Sequence, residues 1–339
     1  METKATDVKK IPKKIMCYKS DRSGCWLERI HIPFAELAKR HQDTYHISVS
    51  GMMQSTDLDK FDLAIFQRQY YTEVFKNMMI MKRYGTKVVY EIDDDVFSVP
   101  EWNPAHTTYG KQAVKDNVKA FLGAVDACFV TSEDLKSVYQ EYCPKVYVLP
   151  NSIDFTLFRP VESREPNPVV LWQGSNTHEK DVMIVKKALH KLSKRGDCFI
   201  KLWSFDVGLK QNWQNIPFVH LEDFYTVLTL MNASIGLAPL HPNKFNKGKS
   251  NLKVLEYWAQ RIAVVASNFG PYADTVTHEE NGLLVSSVDE WYDAIVYLLE
   301  NPDVRDKLIN NGYNKCREEY DIKNNYVLWK NAIDEILEV

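Results

Sequence analysis

What most restricts the fold of this chain is an alternation that runs its whole length. Short apolar runs of strand size are each followed by a stretch with helical spacing. That alternation predicts parallel strands joined by crossover helices, because parallel neighbours need a long connection and a helix supplies it. Strands are expected over 14–18, 45–49, 63–67, 87–92, 127–131 and 146–149, and a helix over 30–40. Another helix should open at Ser132-Glu133-Asp134-Leu135, where a serine cap precedes two acids. The pattern breaks at 159–168, a stretch with three prolines, four charges and little to bury. It restarts with strands over 169–172, 199–203, 218–221, 235–238, 262–266 and 283–285, and closes on an amphipathic helix over 325–337. The expected fold is α/β, with two doubly wound, Rossmann-like parallel-sheet domains facing a central cleft. Residues 1–158 would form the first domain, 159–168 the linker, 169–312 the second domain, and 313–339 a closing helical segment.

A length of 339 residues suits two domains better than one core, and a net charge of −3 fits a globular protein. The six cysteines have no close paired spacing, which reads as reduced thiols in a cytoplasmic chain without a cysteine metal site. No run approaches the roughly 20 apolar residues of a membrane helix, and the first residues lack an apolar signal core. No integral membrane association is therefore expected. Charge is uneven, with ten Lys/Arg against five Asp/Glu in residues 1–40. That excess reads either as a solvated N-terminus or as attraction for an anionic acceptor.

The chemistry concentrates at Lys249-Ser250-Asn251-Leu252-Lys253-Val254-Leu255-Glu256-Tyr257, a loop entering a helix just ahead of a buried strand. A helix start exposes unpaired N–H groups and the positive end of the helix dipole, so it suits an anion. Lys249 and Lys253 add charge, Lys253 facing either phosphate or water. Glu256 cannot be meant for phosphate, but a carboxylate accepts hydrogen bonds from sugar hydroxyls. Phosphate plus ribose describes a nucleotide. Gly174-Ser175, after the first strand of the second domain, offers close backbone approach and a hydroxyl to the same phosphate.

The segments resemble, in their order, the GT-B glycosyltransferases, and within them the retaining, GT4-like group with its glycosyltransferase family 1 domain. The likeness in the second half rests on Leu171-Trp172-Gln173-Gly174-Ser175-Asn176-Thr177-His178, Ile235-Gly236-Leu237-Ala238-Pro239-Leu240, residues 249–267 and Asn281-Gly282-Leu283-Leu284-Val285. In the first half it is looser, resting on Gly24-Cys25 with Arg29 and Pro33, Tyr90-Glu91-Ile92-Asp93-Asp94-Asp95, and Val148-Leu149-Pro150-Asn151-Ser152-Ile153-Asp154. The resemblance implies transfer of a sugar from a UDP- or GDP-sugar with retention, by attack on the face from which the leaving group departs. It implies no metal, since such enzymes hold diphosphate with a helix dipole and basic side chains; Mg²⁺ is not expected. Glu256 matches the second glutamate of the family's Glu-x7-Glu pattern, the ribose contact. The first, ascribed to the donor sugar, falls on Gly248 and is absent. The family's basic pair after the first C-terminal strand has only His178 and Lys180 as candidates here, and His178 reads equally as an exposed or helix-capping histidine.

On the acceptor side, Asp93-Asp94-Asp95 ends a strand, where a doubly wound domain carries its functional loops. These carboxylates read as acceptor contacts or a general base, as helix caps, or as Mg²⁺ ligands. His106 is a further acceptor-side candidate. Gly24 would admit the transferred sugar, and Arg29 would pair with phosphate or acceptor charge, or else with a surface carboxylate. Trp203 and Phe205 either border the base or pack in the core. Lys249, Asp94 and His106 are thus the catalytic candidates. Gly24, Gly174, Ser175, His178, Lys180, Lys249, Ser250, Asn251, Lys253 and Glu256 are the donor-binding ones; Arg29, Asp93, Asp94 and Asp95 complete the acceptor side. The acceptor is expected to be a glycan or glycoconjugate, or a modified DNA base. The alternative function is a non-catalytic nucleotide-sugar scaffold or sensor, motivated by Gly248.

Overall fold

The computed structural model describes residues 11–21, 23–161 and 167–339. The first ten residues of the basic segment, and 162–166 of the expected linker, lie outside them. The first sheet comprises β1 (Lys13–Tyr18), β2 (Tyr45–Ser50), β3 (Leu63–Gln67), β4 (Lys87–Glu91), β5 (Ala127–Val130) and β6 (Val146–Val148), in the order β2-β1-β3-β4-β5-β6. The second comprises β7 (Val169–Trp172), β8 (Phe199–Trp203), β9 (Trp213–Ile216), β10 (Ile235–Ala238), β11 (Ala263–Ser267) and β12 (Leu283–Val285), in the order β12-β11-β10-β7-β8-β9. Every pairing in both sheets is parallel. Central strands such as β3 (LAIFQ) and β11 (AVVAS) are buried at every position, as helices on both faces require.

Strand order reverses between β1 and β3 in one sheet, and between β7 and β10 in the other. A doubly wound sheet opens a crevice at such a point, outside the carboxyl ends of the strands. The loops after β1, β3 and β4 therefore meet those after β7 and β10.

Tyr257 fixes the helix Leu252–Ala259 at this crevice. Its ring lies over Gly236, where a Cβ would come within 2.6 Å of it. Its hydroxyl accepts from the Gln173 N–H at 3.2 Å and donates to the Leu237 carbonyl at 3.2 Å. One side chain thus ties the helix to the ends of two strands.

Two expectations need correction. Residues 218–221 are not a strand: the edge strand is β9, and Pro217 follows it, lacking the N–H a ladder needs. Phe218, 72% exposed, belongs to a loop on the cleft wall. The helix expected over 30–40 starts earlier, as Gly24–Trp26 leads through a π turn, Leu27–His31, into Ile32–Arg40. Pro33 then sits in a first turn, where its missing N–H costs little. The helix beginning after Ser132 forms as expected, with the serine oxygen accepting from the Leu135 N–H at 3.3 Å.

The last helix, Ile322–Leu337, lies against Ile32–Arg40. Trp329, Ala332, Ile333 and Ile336 join Ile15, Phe34 and Phe129 in the core beneath the first sheet. All six cysteines are free thiols. Among the described residues, no helix is long and apolar enough to cross a membrane.

Candidate functional site

Between the sheets lies a cleft of about 760 Å³, a size that holds a nucleotide-like ligand. Gly24, Gly174, Ser175, His178, Asp93, Asp94, Lys249, Ser250, Lys253 and Glu256 all line it. No side chain caps the Leu252–Ala259 helix. Asn251, at its cap position, turns its amide to the Thr275 hydroxyl at 3.0 Å and is not part of the cleft wall.

Lys249 Nζ stands 2.8 Å from Asp94 Oδ1, an ion pair that crosses from one sheet's loops to the other's. Burial works against the charge on Asp94, but Lys249 and Arg68 outweigh it and hold its pKa below the usual carboxylate value. Burial likewise works against the Lys249 ammonium, and Asp94 outweighs it, so that pKa lies above the ordinary lysine value. Arg68 extends the lattice, 3.3 Å from Asp93 Oδ1 and 3.7 Å from Asp94 Oδ2. It sits just past β3 in the left-handed region, at φ 50°, a strained conformation of the kind that clusters at functional sites.

Lys253 donates to the Gln173 carbonyl, and burial draws its pKa down to about 8. Gln173 Nε2 donates to Glu256 Oε2 at 2.7 Å. Burial lifts the Glu256 carboxyl to about 7, against the pull of Lys253 and that hydrogen bond. His178 pairs with Asp181 at 2.8 Å, and burial lowers its pKa despite that partner.

Besides Asn251, four candidates lie elsewhere. Arg29 is fully buried and absent from the cleft wall. Its Nε donates to Glu91 Oε1 at 2.6 Å, another nitrogen donates to the Leu149 carbonyl and the Asn151 side chain, and the guanidinium lies over the Trp329 ring. It is a structural cation because the π turn directs it inward. Asp95 is 1% exposed and accepts from the Phe97 N–H at 3.1 Å, which makes it a turn-forming carboxylate. His106 is held by the Val99 carbonyl at 2.9 Å and does not line the cleft. Lys180 is exposed in the first turn of the Glu179–Leu192 helix and lies off the cleft wall. Among the described residues, no three His, Cys, Asp or Glu side chains are grouped to hold a metal ion. Of the two aromatic candidates, Trp203 lines the cleft, stacked on Phe224, and Phe205 packs edge-on against Trp172.

Sequence reasoning missed Glu28, Arg68, Gln173, Phe218 and Tyr225, all on the cleft wall. Arg68 had a readable signal, since Gln67-Arg68-Gln69 puts three polar residues at the end of a buried strand. Glu28 had one as well, an acid amid Trp26, Leu27 and Ile30. At Gly248, a Cβ would meet Leu135 Cδ2 at 2.9 Å, so the loop of one sheet packs against a helix of the other and a side chain there would have to displace the Leu135 methyl.

Two doubly wound sheets with this cleft between their carboxyl ends define a GT-B glycosyltransferase fold. Residues 167–301, spanning most of the second sheet's domain, match the family model described as glycosyl transferases group 1. Across its length the chain is similar in structure to sucrose-phosphate synthase from Thermosynechococcus elongatus, with TM-score 0.72 and 14% identity over 96% of this chain and 99% of that one. It is similar also to Anabaena HepE in complex with UDP-glucose, with TM-score 0.68 and 13% identity over 95% of this chain and 100% of that one. A glycosyltransferase from Rickettsia africae gives TM-score 0.65 and 14% identity, covering 96% and 99%. No curated protein matches the chain in sequence.

Proposed function

We propose that the chain is a retaining glycosyltransferase that binds a nucleoside-diphosphate sugar against the second sheet and its acceptor against the first. The observation that carries this reading is the convergence of Lys249, Lys253 and an uncapped helix start beside Glu256 in one cleft. A diphosphate is the anion such a site fits, and a carboxyl beside it meets hydroxyls. UDP-glucose is the first donor to test, because HepE is described with UDP and glucose.

Cleavage of the donor bond leaves negative charge on the β-phosphate. Lys249, freed from Asp94 when the donor binds, would receive it together with Ser250 and the helix amides, and that lowers the barrier. Paired with Lys249, Asp94 is a weak base; a diphosphate that takes Lys249 releases it to contact the acceptor hydroxyl. On this reading Asp94 contacts the acceptor and Glu256 the ribose, neither acting as a nucleophile, and attack proceeds on the departing face. Lys249, Lys253 and Arg68 supply the positive charge a metal would otherwise bring. Closure against the first sheet's loops keeps water from the donor. The acceptor is a glycan or glycoconjugate, with a modified DNA base second, favoured by the basic excess of residues 1–40.

A thermal-shift screen of nucleoside diphosphates and their sugars, followed by transfer assays with glycan and DNA acceptors in EDTA, tests the proposal. One nucleotide series should stabilise the chain, by about 2.7 kcal/mol at 100 times its Kd, and turnover should persist in chelator. Absence of stabilisation by every nucleotide would overturn it. Binding without turnover across the acceptor panel would make the chain a scaffold.

A further inference from the structure

The cleft has two chemically distinct ends. Around Lys249 stand Arg68, Asp94 and His178, whose charges act on one another. At the other end are Glu28, Glu256 and the rings of Trp203, Phe224 and Tyr225. A nucleoside diphosphate has the same polarity, with an anionic tail, a hydroxylated pentose and a flat base. The pentose lies between the other two, where a group adjoining both Glu256 and the aromatic rings would meet it. Building on the nucleotide-sugar reading above, we propose that Glu28 is a second pentose-recognising carboxyl, gripping from the first sheet's side the diol that Glu256 meets from the second.

Glu28 sits in the π turn Leu27–His31 and is 5% exposed on the cleft wall. Its Oε1 accepts from the Tyr225 hydroxyl at 2.9 Å, while its Oε2 is buried with no hydrogen-bond partner. Leaving a buried carboxyl oxygen unmet is costly unless a ligand meets it. Arg29, the adjacent cation, is turned to Glu91. The titratable and charged groups around Glu28 are Glu256, Tyr225, Arg29 and Asp154. Burial, reinforced by repulsion from Glu256, pushes its carboxyl up to about 8. At neutral pH Glu28 is therefore an acid with a hydrogen to donate. A diol facing one donating and one accepting carboxyl can satisfy both, and a deoxy sugar cannot.

The test is calorimetric binding of UDP and GDP, each beside its 2′,3′-dideoxy analogue, from pH 6.5 to 9. Wild type should bind the better ribonucleotide about tenfold more tightly than its dideoxy form, and Glu28→Ala should lose most of that ratio. Glu28→Gln, which keeps a donor, should retain the ratio. It should also lack the part of the wild-type weakening above pH 8 that comes from ionising Glu28; the difference between the two profiles isolates this residue from Glu256 and Lys253. Circular dichroism and melting establish that each variant is folded. A folded Glu28→Ala with wild-type affinity and ratio would overturn the proposal, as would identical pH profiles for wild type and Glu28→Gln. Wild type binding no nucleotide would instead overturn the donor reading itself.

Discussion

Lys249 and Arg29 are both cations that the chain order brings near the strand ends, yet burial assigns them opposite roles. Lys249 borders the cleft with an exchangeable partner, Asp94. Arg29 is sealed among Glu91, Leu149, Asn151 and Trp329, and so links β4 to the last helix. Removing one member of a buried pair leaves the other charge without compensation, at about 3–5 kcal/mol. Arg29→Ala should lower the unfolding free energy by that order, whereas Lys249→Ala, which leaves Asp94 its Arg68 partner, should melt near wild type but turn over about 10²–10³ more slowly. Unfolding curves and kcat measured side by side check the contrast; a stable, inactive Arg29→Ala would return Arg29 to the site. The sequence placed both residues in loops near the cleft. It did not show which way Arg29 pointed, because Arg29 lies in a π turn, Leu27–His31, rather than in a regular helix.

At the scale of elements, the strands were largely legible. Runs such as 63–67 and 235–238 are apolar on both faces and of strand length, as strands buried in a parallel sheet read. The 218–221 run misled because it is a loop on the cleft wall, with Phe218 72% exposed and Val219 and Leu221 only half-buried against the core. The anion-suited start of Leu252–Ala259 was readable from Lys249-Ser250-Asn251, but its anchoring by Tyr257 over Gly236 was not, since that contact joins distant positions. Gly248 belongs to the same class of long-range constraint. Restoring a carboxylate there, Gly248→Glu, should drive the loop off Leu135, lowering both melting temperature and donor affinity. Unchanged stability with improved turnover would show that the glycine is not there for packing.

Across the whole molecule, the two sheets are held together around the cleft by contacts of different kinds. Phe245, from the second sheet's loops, is buried in the core of the first. Lys249–Asp94 and Tyr225–Glu28 bridge the cleft itself. The apolar contact anchors a loop of the second domain in the core of the first. The Lys249–Asp94 bridge uses the cation that the diphosphate is proposed to claim, so donor entry and its rupture are one event, whereas the Tyr225–Glu28 bond leaves Glu28 Oε2 open to the pentose. None of these bridges could be read from the sequence, because each pairs residues from different sheets.

The most direct measurement is a crystal structure of the chain with the nucleoside diphosphate that stabilises it best. The β-phosphate should lie against Lys249 and the first amides of the Leu252–Ala259 helix, with Asp94 displaced from its 2.8 Å contact and the pentose between Glu28 and Glu256. A diphosphate bound elsewhere, with the Lys249–Asp94 pair intact, would contradict the account.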